Sequence, residues 1–451
     1  MAIVSKPSPS PSPSTFSIAI IGGGIGGLSM ALSLSTQIPS LSRNITVYEQ
    51  APAYKEIGAG IGIGVNASRI LKRYGVYAAA DAISGDRNGI HRSLRRWDNG
   101  EEIVSVGAMD DDSSDGVRQL SVHRAEFLQV LYDHLRATSE ARLETNKRAV
   151  EIIDDSNNNN DDSKQHGGKA TTTIRFADGS TASADLVIAC DGIHSAVRRQ
   201  FNANDPSDLH PRYSGRVCYR GLLPLSAVER GWPYDSFAVS WLGPDRHFLV
   251  FPISRNKTLN VVAFVTKPED QLGDLRESWS STAPRAEVEA EFAGWEDTVQ
   301  RIVRAMEPRP GKWKLNDREL LDQWVYLDGR VVLSGDAAHA MLPHQGSGAG
   351  HAIEDSFVMG QAVKAFFENP SLGLETYMKL YQETRLPRAQ KAQLTSRQAG
   401  DVYEMQGPEF AGLVFEQRLQ VIHDKFKDRM TWVWGHDLEA DFNATRTRLG
   451  I

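Results

Sequence analysis

The sequence predicts an α/β fold: a parallel-sheet domain interrupted by an antiparallel sheet and followed by a helical C-terminus. Three observations predict it. A glycine-rich turn near the start separates a short apolar run from a helix-patterned one. A second buried-strand run returns roughly 310 residues later, at 330–334. Between them, residues 215–265 hold several runs that alternate apolar and polar positions, the pattern of a half-buried antiparallel sheet.

The elements follow in order. Residues 16–21 (Phe-Ser-Ile-Ala-Ile-Ile) are a short, β-branched apolar run ending in glycines, as expected of a buried parallel strand. Residues 28–38 carry apolar side chains at helical spacing and 45–49 (Ile-Thr-Val-Tyr-Glu) read as a second strand, so the opening is a βαβ unit. Over 122–136 apolar positions repeat at three and four, which predicts a helix after Arg124. Asp154 to Gly168 is rich in Asn, Asp, Ser and Gly between two strand-like runs and predicts an expanded hairpin tip. Residues 184–190 are another buried strand, ending at Asp191-Gly192. The runs 216–223, 237–242, 247–253 and 259–265 supply the antiparallel sheet. A helical segment over 283–306 precedes the strand at 330–334, and 351–367 with most of 374–427 read as helix. Four Pro-Ser repeats over 7–14 mark residues 1–15 as a disordered, polyproline-prone leader.

Composition narrows the function. Against 57 Asp+Glu stand 50 Lys+Arg, a net charge of −7 that argues against a nucleic acid or an anionic membrane as partner. Cys190 and Cys218 are the only cysteines, too few for a disulfide framework or a Cys-rich metal site and too far apart for a redox pair; a reducing, cytoplasmic setting is the simpler reading. No apolar run reaches the roughly 18 residues of a membrane span, and no apolar stretch precedes the Pro-Ser repeats as a signal peptide would require. No metal site is expected.

The glycine turn is Gly22-Gly23-Gly24-Ile25-Gly26-Gly27, a GxGxxG after a strand and before a helix, which makes the domain Rossmann-like. Gly22 permits the tight turn, Gly24 lets a diphosphate approach the backbone, and Gly27 lets helix and strand pack closely, with the helix N-terminus facing the anion. Glu49, 22 residues past Gly27, is placed to bind ribose hydroxyls. These features alone do not separate FAD from NAD. A second site does: Gly335-Asp336 follows the strand at 330–334, and Gly346, Gly348 and Gly350 lead into a helix expected at His351. Asp336 would sit at the carboxyl end of a strand, where open α/β sheets bind ligands, with free helix N–H groups nearby. One long cofactor reaching both places accounts for them; a simple NAD dehydrogenase needs only the first.

With these blocks in hand, the chain from residue 16 onward resembles the group A flavoprotein aromatic hydroxylases, the salicylate hydroxylases (fungal type) in particular. Besides the glycine turn, the matching segments are Ala189-Cys-Asp-Gly192, Gly335-Asp-Ala-Ala-His339 with Leu342-Pro343, Ala352-Ile-Glu-Asp355, Arg385-Leu-Pro-Arg388 and Trp432-Val-Trp-Gly-His-Asp437. Cys190 departs from the family form, one small residue for another. The resemblance implies a Rossmann-like FAD-binding domain over 16–205 and 310–370, an inserted substrate-binding sheet domain over 206–309 and a C-terminal helical segment over 371–451. It implies that Glu49 binds the adenosine ribose, that Gly62 lets the backbone pass close to the cofactor, and that Arg124 contacts the FAD. It further implies that Asp336 meets the ribitol chain, Ala349 the isoalloxazine through its backbone, and Asp191 with Gly192 both flavin and nicotinamide donor. Read alone, Arg124 at a helix start would equally suit a surface arginine.

Hydroxylating an aromatic ring needs an electrophilic oxygen that no side chain supplies; a reduced flavin and dioxygen supply it. The protein must position the ring and exclude water. No second GxGxxG serves a nicotinamide, so NADH or NADPH is expected to dock transiently on the FAD. Arg220, on the predicted sheet face it shares with Cys218, suits a substrate carboxylate or phenolate, or a structural ion pair. His247 and His339 are candidates for proton handling or ordinary structural histidines, and Trp241, Phe248 and Phe251 for an aromatic wall or core. The expected activity is NAD(P)H- and FAD-dependent hydroxylation of a small phenolic acid by a monomer or homodimer, with decarboxylative conversion of salicylate to catechol foremost. Hydroxylation of another phenol and a non-catalytic nucleotide-binding scaffold are the alternatives.

Overall fold

The structure, a computed structural model of the 451-residue chain, describes residues 12–54, 59–107, 116–157, 171–273, 275 and 281–451. Among them the strands are, in order, β1 (Ile18–Ile21), β2 (Ile45–Tyr48), β3 (Gly60–Ile63), β4 (Ile90–Arg96), β5 (Glu102–Gly107), β6 (Leu120–His123), β7 (Arg142–Glu144), β8 (Ala149–Asp154) and β9 (Thr172–Phe176). Then come β10 (Thr181–Ala184), β11 (Leu186–Ala189), β12 (Arg212–Pro224), β13 (Val239–Gly243), β14 (Arg246–Ile253), β15 (Thr258–Thr266), β16 (Gly311–Asp317), β17 (Val325–Tyr326) and β18 (Val331–Leu333).

Strands β1, β2, β11 and β18 are fully or almost fully buried apolar runs, and they form the centre of a six-stranded sheet in the order β17-β18-β11-β1-β2-β7. All its pairs are parallel except β17–β18, as expected of a sheet covered on both faces. Helices Ile25–Gln37 and Gly348–Glu368 pack on it and on each other so closely that a Cβ added at Gly360 would lie 2.2 Å from the Gln37 amide nitrogen. The helix after the second glycine cluster begins at Gly348, three residues before the expected His351. Gly350, buried against Ala67, is held in a helical conformation that its intrinsic propensity opposes, whereas Gly346 stays outside the helix in the left-handed region.

The antiparallel sheet has seven strands in the order β16-β12-β15-β14-β13-β4-β5. It is wider than residues 206–309: β4 and β5 come from within 16–205 and β16 lies in 310–370, stretches the sequence assigned to the FAD-binding domain. β4 joins parallel to β13, with Val239 opposite Ser93. One face of this sheet packs under helices Arg285–Glu291 and Asp297–Ala305, where Trp241 and Phe248 meet Phe292, Trp295, Val299 and Ile302. The other face carries Cys218, Leu249, Phe251, Val262, Phe264 and Leu315, and Leu342 packs on it. Helix Leu374–Tyr403 runs along helix Gly348–Glu368, and helix Phe415–Phe426 closes over β4 and β5.

Two expectations end differently. Residues 12–15, placed in the leader, form a turn in which the Asn44 amide donates to the Pro13 carbonyl at 2.9 Å; residues 1–11 lie outside the described residues. β8 and β9 pair antiparallel as the hairpin reading requires, but β10 adds a third strand, and 158–170, most of the Asn/Asp/Ser/Gly block, lies outside the described residues.

The three-stranded sheet is clamped to the parallel one by Arg330, whose Nη1 donates to Asp154 at 2.8 Å. The Arg330 guanidinium holds the Asp154 carboxyl down to about 2. A depressed carboxyl stabilises the fold at pH above its unfolded value, about 3.9, and that contribution is lost as pH falls through the folded value. Urea unfolding should therefore weaken more between pH 5 and pH 2.5 in the native protein than in Asp154→Asn. An equal loss in both would count against the clamp.

Candidate active site

Parallel register brings the distant motifs together. Ile21 lies opposite Tyr48 on one side and Ala189 on the other, and Ala189 lies opposite Leu333. The residues that follow these four strands therefore stand side by side at the carboxyl edge: Gly22, Glu49, Cys190 and Ser334. Backbone bonds continue the ladder across them, from Gly22 N to Tyr48 O (2.8 Å), Cys190 N to Ile21 O (2.7 Å) and Ser334 N to Ala189 O (2.9 Å). An open parallel sheet has its ligand crevice at this edge.

A cavity of about 370 Å³ fills that edge, lined by Gly22, Gly24, Glu49, Arg124, Asp191, Asp336 and Ala349 among others. Seven of the ten residues singled out from the sequence thus face one volume, and the glycine turn and the aspartate loop share it. Gly22 has φ +100°, and a Cβ there would lie 2.3 Å from the Cys190 carbonyl oxygen. Gly27 does not line the cavity; a Cβ on it would sit 1.9 Å from Gly22 O, so it serves helix–strand packing. The helices that begin at Ile25 and Gly348 both point their N-termini into the cavity, with no side-chain cap and no acid in the first turn. Their free N–H groups and partial positive charge favour a diphosphate at one end and an electron-accepting ring at the other.

Glu49 is oriented before any ligand arrives: Oε2 accepts from Gly23 N and Oε1 from Ala51 N, both at 2.7 Å, leaving lone pairs for hydroxyls. Asp191 accepts from Ala196 N at 2.8 Å through Oδ2, while its buried Oδ1 has no partner among the described residues. Burial pushes its carboxyl up. Asp336 is exposed on the cavity, at the start of the short helix Asp336–His339. A polar wall with carboxylates from the far strands β2 and β18, and with Arg124 also lining it, fits a long dinucleotide.

Gly62 and Arg220 lie beyond this cavity. Gly62 sits in β3, and a Cβ on it would be 3.6 Å from Gly346 O, so its backbone borders the second glycine cluster; Ile57 and Gly58 of its motif lie outside the described residues. Arg220 lies on β12, half-buried, its guanidinium carbon 4.9 Å from the Trp313 ring centre. Its buried Nε has no hydrogen-bond partner among the described residues. Burial pulls its guanidinium pKa down, with the nearby Arg124 adding to the effect. Of the three candidate wall aromatics, Trp241 and Phe248 belong to the helix-covered core, because alternation turns them away from the Leu342 face. Phe251 is on that face, 5.0 Å from the Arg87 guanidinium. His339 and His247 are both spoken for, His339 Nε2 by Asp355 at 2.7 Å and His247 Nδ1 by Glu404 at 2.9 Å.

Lys147, Arg148 and Arg199 also line the cavity, and the sequence did not single them out. No motif marks them. Lys147 arrives because its N–H donates to Glu49 O at 2.8 Å, a pairing of the β7–β8 turn with the end of β2. A basic residue following the edge strand β7 was the available signal, and it is too common to stand out.

Comparison with known proteins agrees with this geometry. The FAD binding domain family matches residues 15–396. A salicylate hydroxylase of Pseudomonas putida is 33% identical over 449 residues, covering 96% of this chain and 95% of the relative. A 6-hydroxynicotinate 3-monooxygenase of Bordetella bronchiseptica is 33% identical over 384 residues, covering 84% of this chain and 89% of that protein. The structure of a salicylate hydroxylase substrate complex superposes with a TM-score of 0.77 at 30% identity, covering 96% of this chain and 98% of that one. With FAD as its cofactor and NAD(P)H the usual electron donor of the class, this chain belongs to the FAD-dependent aromatic monooxygenases of group A.

Proposed function

We propose that the protein hydroxylates a small phenolic acid, foremost salicylate, which with one NAD(P)H, one dioxygen and two protons would give catechol, carbon dioxide, NAD(P)⁺ and water. Bound FAD, reduced by the nicotinamide, would supply with dioxygen the electrophilic oxygen that side chains lack. Glu49 would hold the adenosine ribose, the Gly22–Gly24 turn the diphosphate, Asp336 the ribitol, and the Gly348–Ala349 N–H groups the ring. Asp191 and Gly192 would border both the flavin and the docking nicotinamide, and Arg124 would counter the diphosphate charge.

The substrate is assigned to the apolar sheet face opposite Leu342-Pro343, and one observation carries that assignment: on this face, beside Cys218 and Trp313, the Arg220 Nε has no hydrogen-bond partner among the described residues. A guanidinium in apolar surroundings gains most from a carboxylate or phenolate, to which it can offer paired N–H donors. Both relatives named above act, by their names, on hydroxylated aromatic acids, which suits the same chemistry. The test is product analysis with isotopically labelled dioxygen. Salicylate should yield catechol carrying one labelled oxygen, with NAD(P)H consumed in about equal amount. NAD(P)H oxidation without labelled catechol would reject salicylate, and a panel of other hydroxyaromatic acids would then identify the substrate.

A further inference from the structure

Behind the cavity, helix Gly348–Glu368 carries two adjacent buried carboxylates, Glu354 and Asp355, neither of which lines it. Helix Leu374–Tyr403 faces them with two buried arginines three residues apart. Arg385 donates to Asp355 Oδ1 through Nε at 2.8 Å and to Glu354 Oε2 through Nη1 at 2.7 Å. Arg388 takes Glu354 with Nε at 2.8 Å and Nη2 at 2.7 Å. Two charges of each sign cancel.

The second oxygen of Asp355 points the other way, toward the cofactor loop. Oδ2 accepts from Gly335 N at 2.8 Å and from His339 Nε2 at 2.7 Å, with Ser334 Oγ at 3.4 Å. These donors bracket Asp336. Gly335 has φ +58° and ψ −141°, a conformation that residues with a Cβ rarely adopt, and its buried N–H needs an acceptor to hold it there. Burial alone would push the Asp355 carboxyl up, but His339 and Arg385 outweigh it and hold the carboxyl well below the usual range. Replacing a buried ion network with apolar packing is often neutral or favourable for stability, so a network aimed at a ligand loop is better read as setting its geometry.

We propose that Asp355 is a positioning residue for the flavin: oriented by Arg385, it locks the Gly335 turn so that Asp336 faces the cavity, without itself touching the cofactor. The signature is that Asp355 acts through Asp336 and at one end of the cavity only.

The test uses apoprotein titrated with FAD and followed by flavin fluorescence. Asp355→Asn keeps the shape and removes the charge, and it should raise the FAD Kd about tenfold. In the Asp355→Asn/Asp336→Ala double variant, Kd should lie within about twofold of Asp336→Ala alone, because the two changes remove the same interaction. ADP, which occupies only the glycine-turn end, should compete for that end with unchanged affinity. An unchanged FAD Kd, fold-changes that multiply in the double variant, or an equal loss of ADP affinity would each overturn the proposal, the last by showing a general structural defect. If Asp355→Asn does not fold, Arg385→Lys, which keeps the charge and loses the guanidinium fork, carries the same three readings.

Discussion

Asp336→Ala is expected to yield a folded protein that loses its yellow flavin during purification, with an FAD Kd raised roughly 10- to 150-fold. The range corresponds to removing a hydrogen bond to a charged group, about 1.5–3 kcal/mol. The effect should be this large because Asp336 stands at the carboxyl edge of β18, exposed on the cavity it shares with the glycine turn. Its backbone is already fixed by the Gly335 turn, so little backbone ordering entropy would offset the proposed contact with the ribitol hydroxyls. Fold should be spared, since an exposed side chain contributes little to the core. Equilibrium dialysis of the variant, with circular dichroism as the folding control, reads both quantities. Full flavin occupancy with normal turnover would remove Asp336 from the site.

Arg220→Ala should act on the other partner. Flavin content is expected to stay at the native level, while the KM for the aromatic acid rises roughly 10- to 150-fold and a larger share of the NAD(P)H is spent without product. The physical reason is the environment of the guanidinium. Burial already disfavours its charge, its Nε is unpartnered among the described residues, and Val262, Trp313 and Cys218 stand beside it on its sheet face. On the proposed reading an anionic ring acid would relieve this, and a neutral phenol would do so less well. Arg220→Lys should recover only part of the affinity, because an ammonium cannot offer two parallel donors. Steady-state kinetics with parallel product determination separates binding from coupling, and unchanged values for both would leave Arg220 a structural role.

The parts of the fold legible in the sequence are those where one local rule decides. Residues 16–21, 45–49, 184–190 and 330–334 are short, mainly apolar runs, and each contains a buried parallel strand, as expected of a sheet covered on both faces. Gly22 and Gly27 were legible because no Cβ fits at either place. The recruitment of β4 and β5 to the antiparallel sheet was not legible. The pairing of β4 with β13 spans nearly 150 residues and depends on which edge is free, which composition does not record. Lys147 was missed for a related reason, since it enters the cavity through a backbone bond to Glu49 that any residue could make. Trp241, Phe248 and Phe251 stayed ambiguous because alternation separates the two faces of a sheet without saying which face meets helices and which meets the site.

By itself, then, the sequence determined the conformations: a strand, a tight glycine turn and a helix at residue 16 onward, a second strand and aspartate loop at 330–336, and alternating runs between. These follow from side-chain periodicity and the few backbone angles open to glycine, which act over a handful of residues. Tertiary structure decided the neighbours: which strand lies beside which, that Glu49, Asp191 and Asp336 border one volume, and that Asp355 and Arg385 stand behind the last of them. Contacts between residues hundreds of positions apart arise from burying several apolar surfaces at once, and that free energy belongs to the packed assembly and to no single segment.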